Sequence, residues 1–162
     1  MTQIEQLTSW LNSAHAMELS MARVLENHAN DAKDLPEISA RIAEHVDETR
    51  SHAERVEECL AILGKKPSMM KSAMGTAMGV VQGAATGMFH DEIIKNMLAD
   101  YAAEYFEIAC YRSLGCAAEA AGQPRIAEIC QEILLEEEAM GAWLEAQIDE
   151  TTRLVLQQTT AA

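Results

Sequence analysis

Four times along the chain, apolar residues recur every three or four positions over some 25 residues, which is the spacing of one face of a long α-helix. The first run extends from about Thr2 to His28 and is carried by Ile4, Leu7, Leu11, Ala14, Met21 and Leu25. The second, from about Pro36 to Leu63, carries Ile38, Ile42, Val56, Cys59 or Leu60, and Leu63. The third starts near Asp91 with Ile94, Met97, Tyr101, Ile108, Tyr111 and Leu114. The fourth runs from about Pro124 to at least Ile148 through Ile126, Ile129, Ile133, Leu134, Met140 and Leu144. "NDAKDLPE" and "AGQP" are short links, so each neighbouring pair is expected to fold back as an antiparallel hairpin.

About 27 residues separate the second run from the third. Two hairpins with one long connection predict an all-α, ferritin-like four-helix bundle with a long helical crossover between helices two and three. A single domain over residues 1–162 is expected, with the crossover at about 66–90. Composition agrees, since aromatics make up only 4% and the prominent residues are helix formers.

Each run also carries a glutamate where its apolar stripe should continue. In the first helix the stripe passes through Glu18. In the second the inward positions read His45, Glu48 and His52, and in the third they include Glu104 and Glu107. In the fourth they read Cys130, Ile133, Glu137, Met140 and Leu144. Glu18 and Glu48 are 30 residues apart, as are Glu107 and Glu137, and "HAME" and "HVDE" share an HxxE pattern. Two similar hairpins would bring these carboxylates to one level of the core.

A buried carboxylate without a partner takes up a proton or is expelled to solvent. A pair of divalent cations, bridged by carboxylates and flanked by histidine, relieves several at once. His52, one turn after Glu48, is expected to be an imidazole ligand; His45 is expected as a ligand or as the group that orients Glu48. His15 and His28 read as groups that support the ligands from behind or lie at the surface, and His90 as a solvated or capping residue.

The formal net charge is −14, from 26 acidic against 12 basic residues. Such a surface repels nucleic acid and anionic membranes and concentrates cations. Only Lys65-Lys66 forms a basic cluster, so no nucleic-acid partner is expected. Cys59, Cys110, Cys116 and Cys130 lie in apolar helical patterns without a CxxC pair, which reads as core thiols of a reducing compartment. "MTQIEQLTSWLN" lacks the features of an export signal, so a cytoplasmic location is expected.

The segments "MELSMARVLENHA", "HVDETRSHAERVEECLAILGKKP", "AEYFEIACYRSLGCAAEAAG" and "ILLEEEAMGAWL" together resemble the YciF-type bacterial stress-protein family of the ferritin-like superfamily. The resemblance covers about Ile4 to Ile148. It implies a bundle, dimeric, with a rubrerythrin-like dinuclear iron site. Carried over residue by residue, it matches Glu18, His45 with Glu48, Glu104 with Glu107, and Glu137 to the family's motifs. His52 stands where the family often has glutamine, and Gly141 where it often has an acidic residue. The E-x-x-H spacing usual in ferritin-like sites is absent, because Ser51 follows Glu48 and Met140 follows Glu137 at that distance. The second metal position is therefore expected to be under-ligated, asymmetric or completed by water.

Gly75, Gly79, Gly83 and Gly87 recur every fourth residue within the crossover. On a helix they would form a groove without side chains, with Met69, Met70, Met74, Met78 and Met88 beside it. Lys71, Gln82 and the scarcity of leucine argue against a membrane span. A homodimer seam through these glycines is the expectation.

Two functional readings remain open at this stage. One is a dinuclear metalloprotein with two iron ions, or alternatively manganese, on Glu18, Glu48, Glu104, Glu107, Glu137 and His52, oxidising ferrous iron or reducing peroxide in a stress response. The other is a non-enzymatic dimeric bundle that serves as a structural or interaction module.

Overall fold

The computed structural model describes residues 1–68 and 91–160; the crossover glycines, the methionines beside them and His90 lie outside the described residues. Among the described residues there are four helices: α1 (Gln3–Asp31), α2 (Pro36–Ile62), α3 (Glu92–Ala120) and α4 (Pro124–Thr160).

Their ends follow from local chemistry. Thr2 caps α1 through a reciprocal box with Glu5, and the Asp91 carboxylate accepts from the backbone N–H groups of Ile93 and Ile94 at the start of α3. Pro36 and Pro124 open α2 and α4, where their missing N–H has no helical partner to lose. Helices α2 and α3 stop alike: Gly64 and Gly122 adopt φ of 67° and 68°. The next residue then turns back, Lys65 N–H donating to the Leu60 carbonyl and Gln123 N–H to that of Ala118, both at 2.8–2.9 Å.

Each hairpin packs along its length, α1 on α2 and α3 on α4; the hairpins then join through α1 against α3 and α2 against α4. His28 meets Asp100 and Asp31 meets Asn96, so α3 begins where α1 ends. His15 meets Glu57, so α2 ends near the start of α1. Residues 64 and 91 therefore lie at opposite ends of the bundle. By Ser68 the chain has already turned back along α1, its N–H donating to Asn12 Oδ1 at 2.7 Å.

The core is continuous from Leu7 and Leu60 at one end to Leu25, Ile42 and Met97 at the other, interrupted midway by charged side chains. Cys59 and Cys130 are buried, as read from the sequence, whereas Cys110 is half-buried and Cys116 exposed, since their helix turns those positions outward. No helix among the described residues is long and apolar enough to cross a membrane.

Two substitutions check this account. Leu144→Ala empties a fully buried position and is expected to lower unfolding free energy by about 2–5 kcal/mol. Gly122→Ala meets no atom within 4 Å, yet its left-handed backbone costs a β-carbon about 1–2 kcal/mol. Urea denaturation measures both.

Candidate metal centre

Midway along the bundle, Glu18 from α1, His45 and His52 from α2, Glu104 and Glu107 from α3, and Glu137 from α4 are all at most 3% exposed. Five of them form two trios whose donor atoms lie within 4.8 Å of one another, Glu18 with His52 and Glu137, and His45 with Glu104 and Glu137, while Glu107 belongs to neither. Glu137 belongs to both. Its Oε1 lies 2.9 Å from His52 Nδ1 and its Oε2 lies 3.7 Å from His45 Nε2. The imidazole centroids are 6.3 Å apart, on either side of it.

The polar atoms in this pocket converge and only partly satisfy one another: His45 Nε2 and Glu104 Oε1 form a hydrogen bond at 3.1 Å. Glu18 Oε2, Glu104 Oε2, Glu107 Oε1, both oxygens of Glu137 and His52 Nδ1 are buried with no hydrogen-bond partner. The 2.9 Å contact between His52 Nδ1 and Glu137 Oε1 is close enough for a hydrogen bond but is not aligned as one. Native interiors rarely leave such atoms unpaired, and six in one place call for a ligand. Carboxylate oxygen and imidazole nitrogen, with no sulfur in either trio, are the donors that iron and manganese accept. Two divalent ions would also balance the four buried carboxylates in charge. The residues present therefore fit a dinuclear centre.

The outer atoms of the pocket are fixed by specific partners. Tyr111, 1% exposed, donates its hydroxyl to Glu18 Oε1, leaving Oε2 to face inward. His45 Nδ1 lies 2.6 Å from Glu48 Oε2, and His52 Nε2 lies 2.8 Å from Glu136 Oε2. Next to this group, Asp100 is buried and pairs with His28 Nδ1 at 2.7 Å.

Glu48 departs from the sequence expectation. The inward positions of α2 are His45, Thr49 and His52, while the Glu48 side chain keeps 32% of its surface exposed and grips His45 from outside. One residue along a helix is a rotation of 100°, so placing Thr49 inward turns Glu48 to the rim. Sequence reading also missed Glu136, Arg55 and the Asp100–His28 pair. At Gly141, a β-carbon would touch Tyr105, Ile108 and Glu104 at 3.4–3.7 Å. That position of α4 thus faces α3, which itself supplies two carboxylates to the centre.

Proton affinities reflect the crowding. Burial raises Glu18, raises Glu107 strongly with Glu137 adding to it, and lifts Glu104 to about 8. Burial alone would lower His45 and His52, but the carboxylates facing them prevail and hold both at about 10. Glu48 is lowered by its hydrogen bond to His45.

The four helices and their pairing give the chain the ferritin-like bundle fold. Residues 2–157 match the family model described as "Domain of unknown function (DUF892)", and the chain belongs to that family. A solved protein from Xanthomonas campestris pv. campestris is 31% identical, with 99% of each chain covered and a TM-score of 0.84. The stress protein YciF of E. coli is 21% identical over 94% of this chain and 98% of its own, TM-score 0.82, in keeping with the resemblance seen in the motifs. A bacterioferritin from Desulfovibrio desulfuricans, described with its diiron site, is 19% identical over 94% of this chain and 83% of its own, TM-score 0.76. The last two likenesses concern the fold.

The pKa directions set the pH dependence of the metal-free chain. Groups with raised folded values contribute stability that is full below their ordinary values, near 4.5 for Glu104 and 6.5 for the histidines, and lost as pH rises through about 8 and about 10. Chelator-treated protein is thus expected to lose thermal stability steadily from pH 6 to pH 9. Bound divalent ions require deprotonated ligands, so saturating manganese should reverse that slope. Melting curves at several pH values, with and without the ion, check both signs.

Proposed function

We propose that the chain is a dinuclear metal-binding stress-response protein that holds two iron ions, or alternatively manganese, and oxidises ferrous iron or reduces peroxide. The observation that carries this reading is the convergence of six unpaired buried donor atoms on a level shared by all four helices. The family relationship, and the bacterioferritin described with a diiron site among its structural likenesses, lend support. Glu18 and His52 would hold one ion, His45 and Glu104 the other, with Glu137 shared between them and Glu107 facing the pair. Two iron ions, when bound, supply the one-electron steps needed to react with oxygen or peroxide.

The chain's own residues set the conditions for that chemistry. Tyr111 fixes Glu18 so that one oxygen points inward. The apolar layers above and below exclude bulk water, which strengthens every electrostatic contact in the pocket. The acidic surface raises the local concentration of cations. We also propose the homodimer that the glycine register implies, to be checked by sedimentation.

One observation favours the alternative, a non-enzymatic bundle. His45 and His52, held at about 10, are cations at neutral pH and offset part of the buried negative charge without any metal.

Metal content decides between them. Protein purified without added metal or chelator is expected to carry about two iron or manganese ions per chain by inductively coupled plasma mass spectrometry, and to consume oxygen or peroxide when offered ferrous iron. Glu137→Gln should empty both positions, and Glu18→Gln or Glu104→Gln one. A chain that stays empty after anaerobic ferrous loading would establish the inert bundle instead.

A further inference from the structure

The two histidines are held by matched devices from opposite sides. His45 Nδ1 meets Glu48 Oε2 at 2.6 Å, and both terminal nitrogens of Arg41 lie 3.3 Å from that same oxygen. His52 Nε2 meets Glu136 Oε2 at 2.8 Å, and Arg55 donates to that same oxygen. In each case a partly exposed glutamate, clamped by an arginine one-fifth exposed, takes one nitrogen of an imidazole that is fully buried. The nitrogen left over faces the pocket, and it is a different one in each ring: Nε2 of His45 lies 3.1 Å from Glu104 and 3.7 Å from Glu137, and Nδ1 of His52 lies 2.9 Å from Glu137 and 3.5 Å from Glu18.

We infer that Arg41–Glu48 and Arg55–Glu136 are two independent positioning clamps that fix opposite tautomers, so that one metal position is served by His45 Nε2 and the other by His52 Nδ1. The inference rests on the dinuclear reading above and deepens it: Glu48 and Glu136 act through the histidines and hold no ion themselves. A carboxylate on the far nitrogen of a metal-binding imidazole fixes the ring and makes the near nitrogen a stronger donor. An arginine on that carboxylate keeps it ionised and aimed. Because the clamps share no residue, each tunes its own position. Two ions in this centre therefore bind in distinguishable steps.

Zinc, being diamagnetic, reports the tautomers directly in the full chain. Two-bond ¹H–¹⁵N imidazole spectra of the zinc-loaded protein are expected to show His45 bound through Nε2 with its proton on Nδ1, and His52 bound through Nδ1 with its proton on Nε2. The same nitrogen bound in both rings would overturn the inference. Calorimetric zinc titrations test the independence of the clamps. Glu48→Gln and Glu136→Gln should each keep two ions per chain but weaken one step about 10–100-fold, a different step in each. Arg41→Gln and Arg55→Gln should weaken the corresponding steps less. Loss of an ion in Glu48→Gln would make Glu48 a ligand, and equal weakening of both steps would reduce the clamps to general support; either result refutes the inference while leaving the dinuclear reading intact. An unaltered chain that binds no zinc, iron or manganese would overturn both.

Discussion

Four carboxylates buried at one level of a helical bundle govern everything else in this molecule. In a low-dielectric interior each ionised group forfeits its hydration, and each of its neighbours makes the loss worse. The metal-free chain meets this with cations and protons of its own: two imidazoles held protonated, carboxyls raised by burial, and a tyrosine hydroxyl on Glu18. These partners leave the pocket incompletely satisfied, since Glu18 Oε2, Glu104 Oε2, Glu107 Oε1 and Glu137 Oε2 find no hydrogen bond there. The apolar residues on either side make up a continuous core that keeps the bundle closed around them.

Ferritin-like centres commonly take one glutamate from each of two helices and a Glu-x-x-His pair from each of the others, four carboxylates and two imidazoles in all. The same inventory is present here but dealt differently. Both imidazoles come from α2 and two carboxylates from α3, with one each from α1 and α4. His45 and His52 are seven residues apart, roughly 10 Å of helix rise, yet their ring centroids are only 6.3 Å apart. The rings thus lean toward the level between them, where Glu137 arrives from α4. Gly141 lies on the face of α4 that packs against α3, beside Tyr105, Ile108 and Glu104.

The helices, their pairing and the inward carboxylates of α1, α3 and α4 were legible because apolar neighbours bracket them at helical spacing. Glu18 is flanked by Ala14 and Met21, and Glu137 by Ile133 and Met140. Helix α2 was harder to read, since its inward face over the centre is polar. A stripe drawn through His45, Glu48 and His52 is as regular as one through His45, Thr49 and His52. Val46 and Ala53, both buried, carry the signal that decides for Thr49. Glu136 could not have been found in this way. In the run "EEE" each glutamate faces a different direction, and only the packing of α4 on α2 shows that the first of them reaches His52. Asp100 and His28 join helices 72 residues apart in sequence, with no spacing to betray them.

If the centre holds metal as proposed, occupancy and folding are separable in this design. A zinc finger has no core without its metal, so metal binding and folding are one event. Here long helices with capped ends and a continuous apolar core supply the fold, and protons can stand in for cations at the centre. On the proposed dinuclear reading, exchange of protons for divalent ions becomes the variable process. Its balance depends on pH, on the cations drawn by a strongly acidic surface, and on two arginine-clamped glutamates at the rim. The carboxylates that would destabilise an ordinary bundle are, on this view, what holds the centre open for a cation while the rest of the chain keeps its shape.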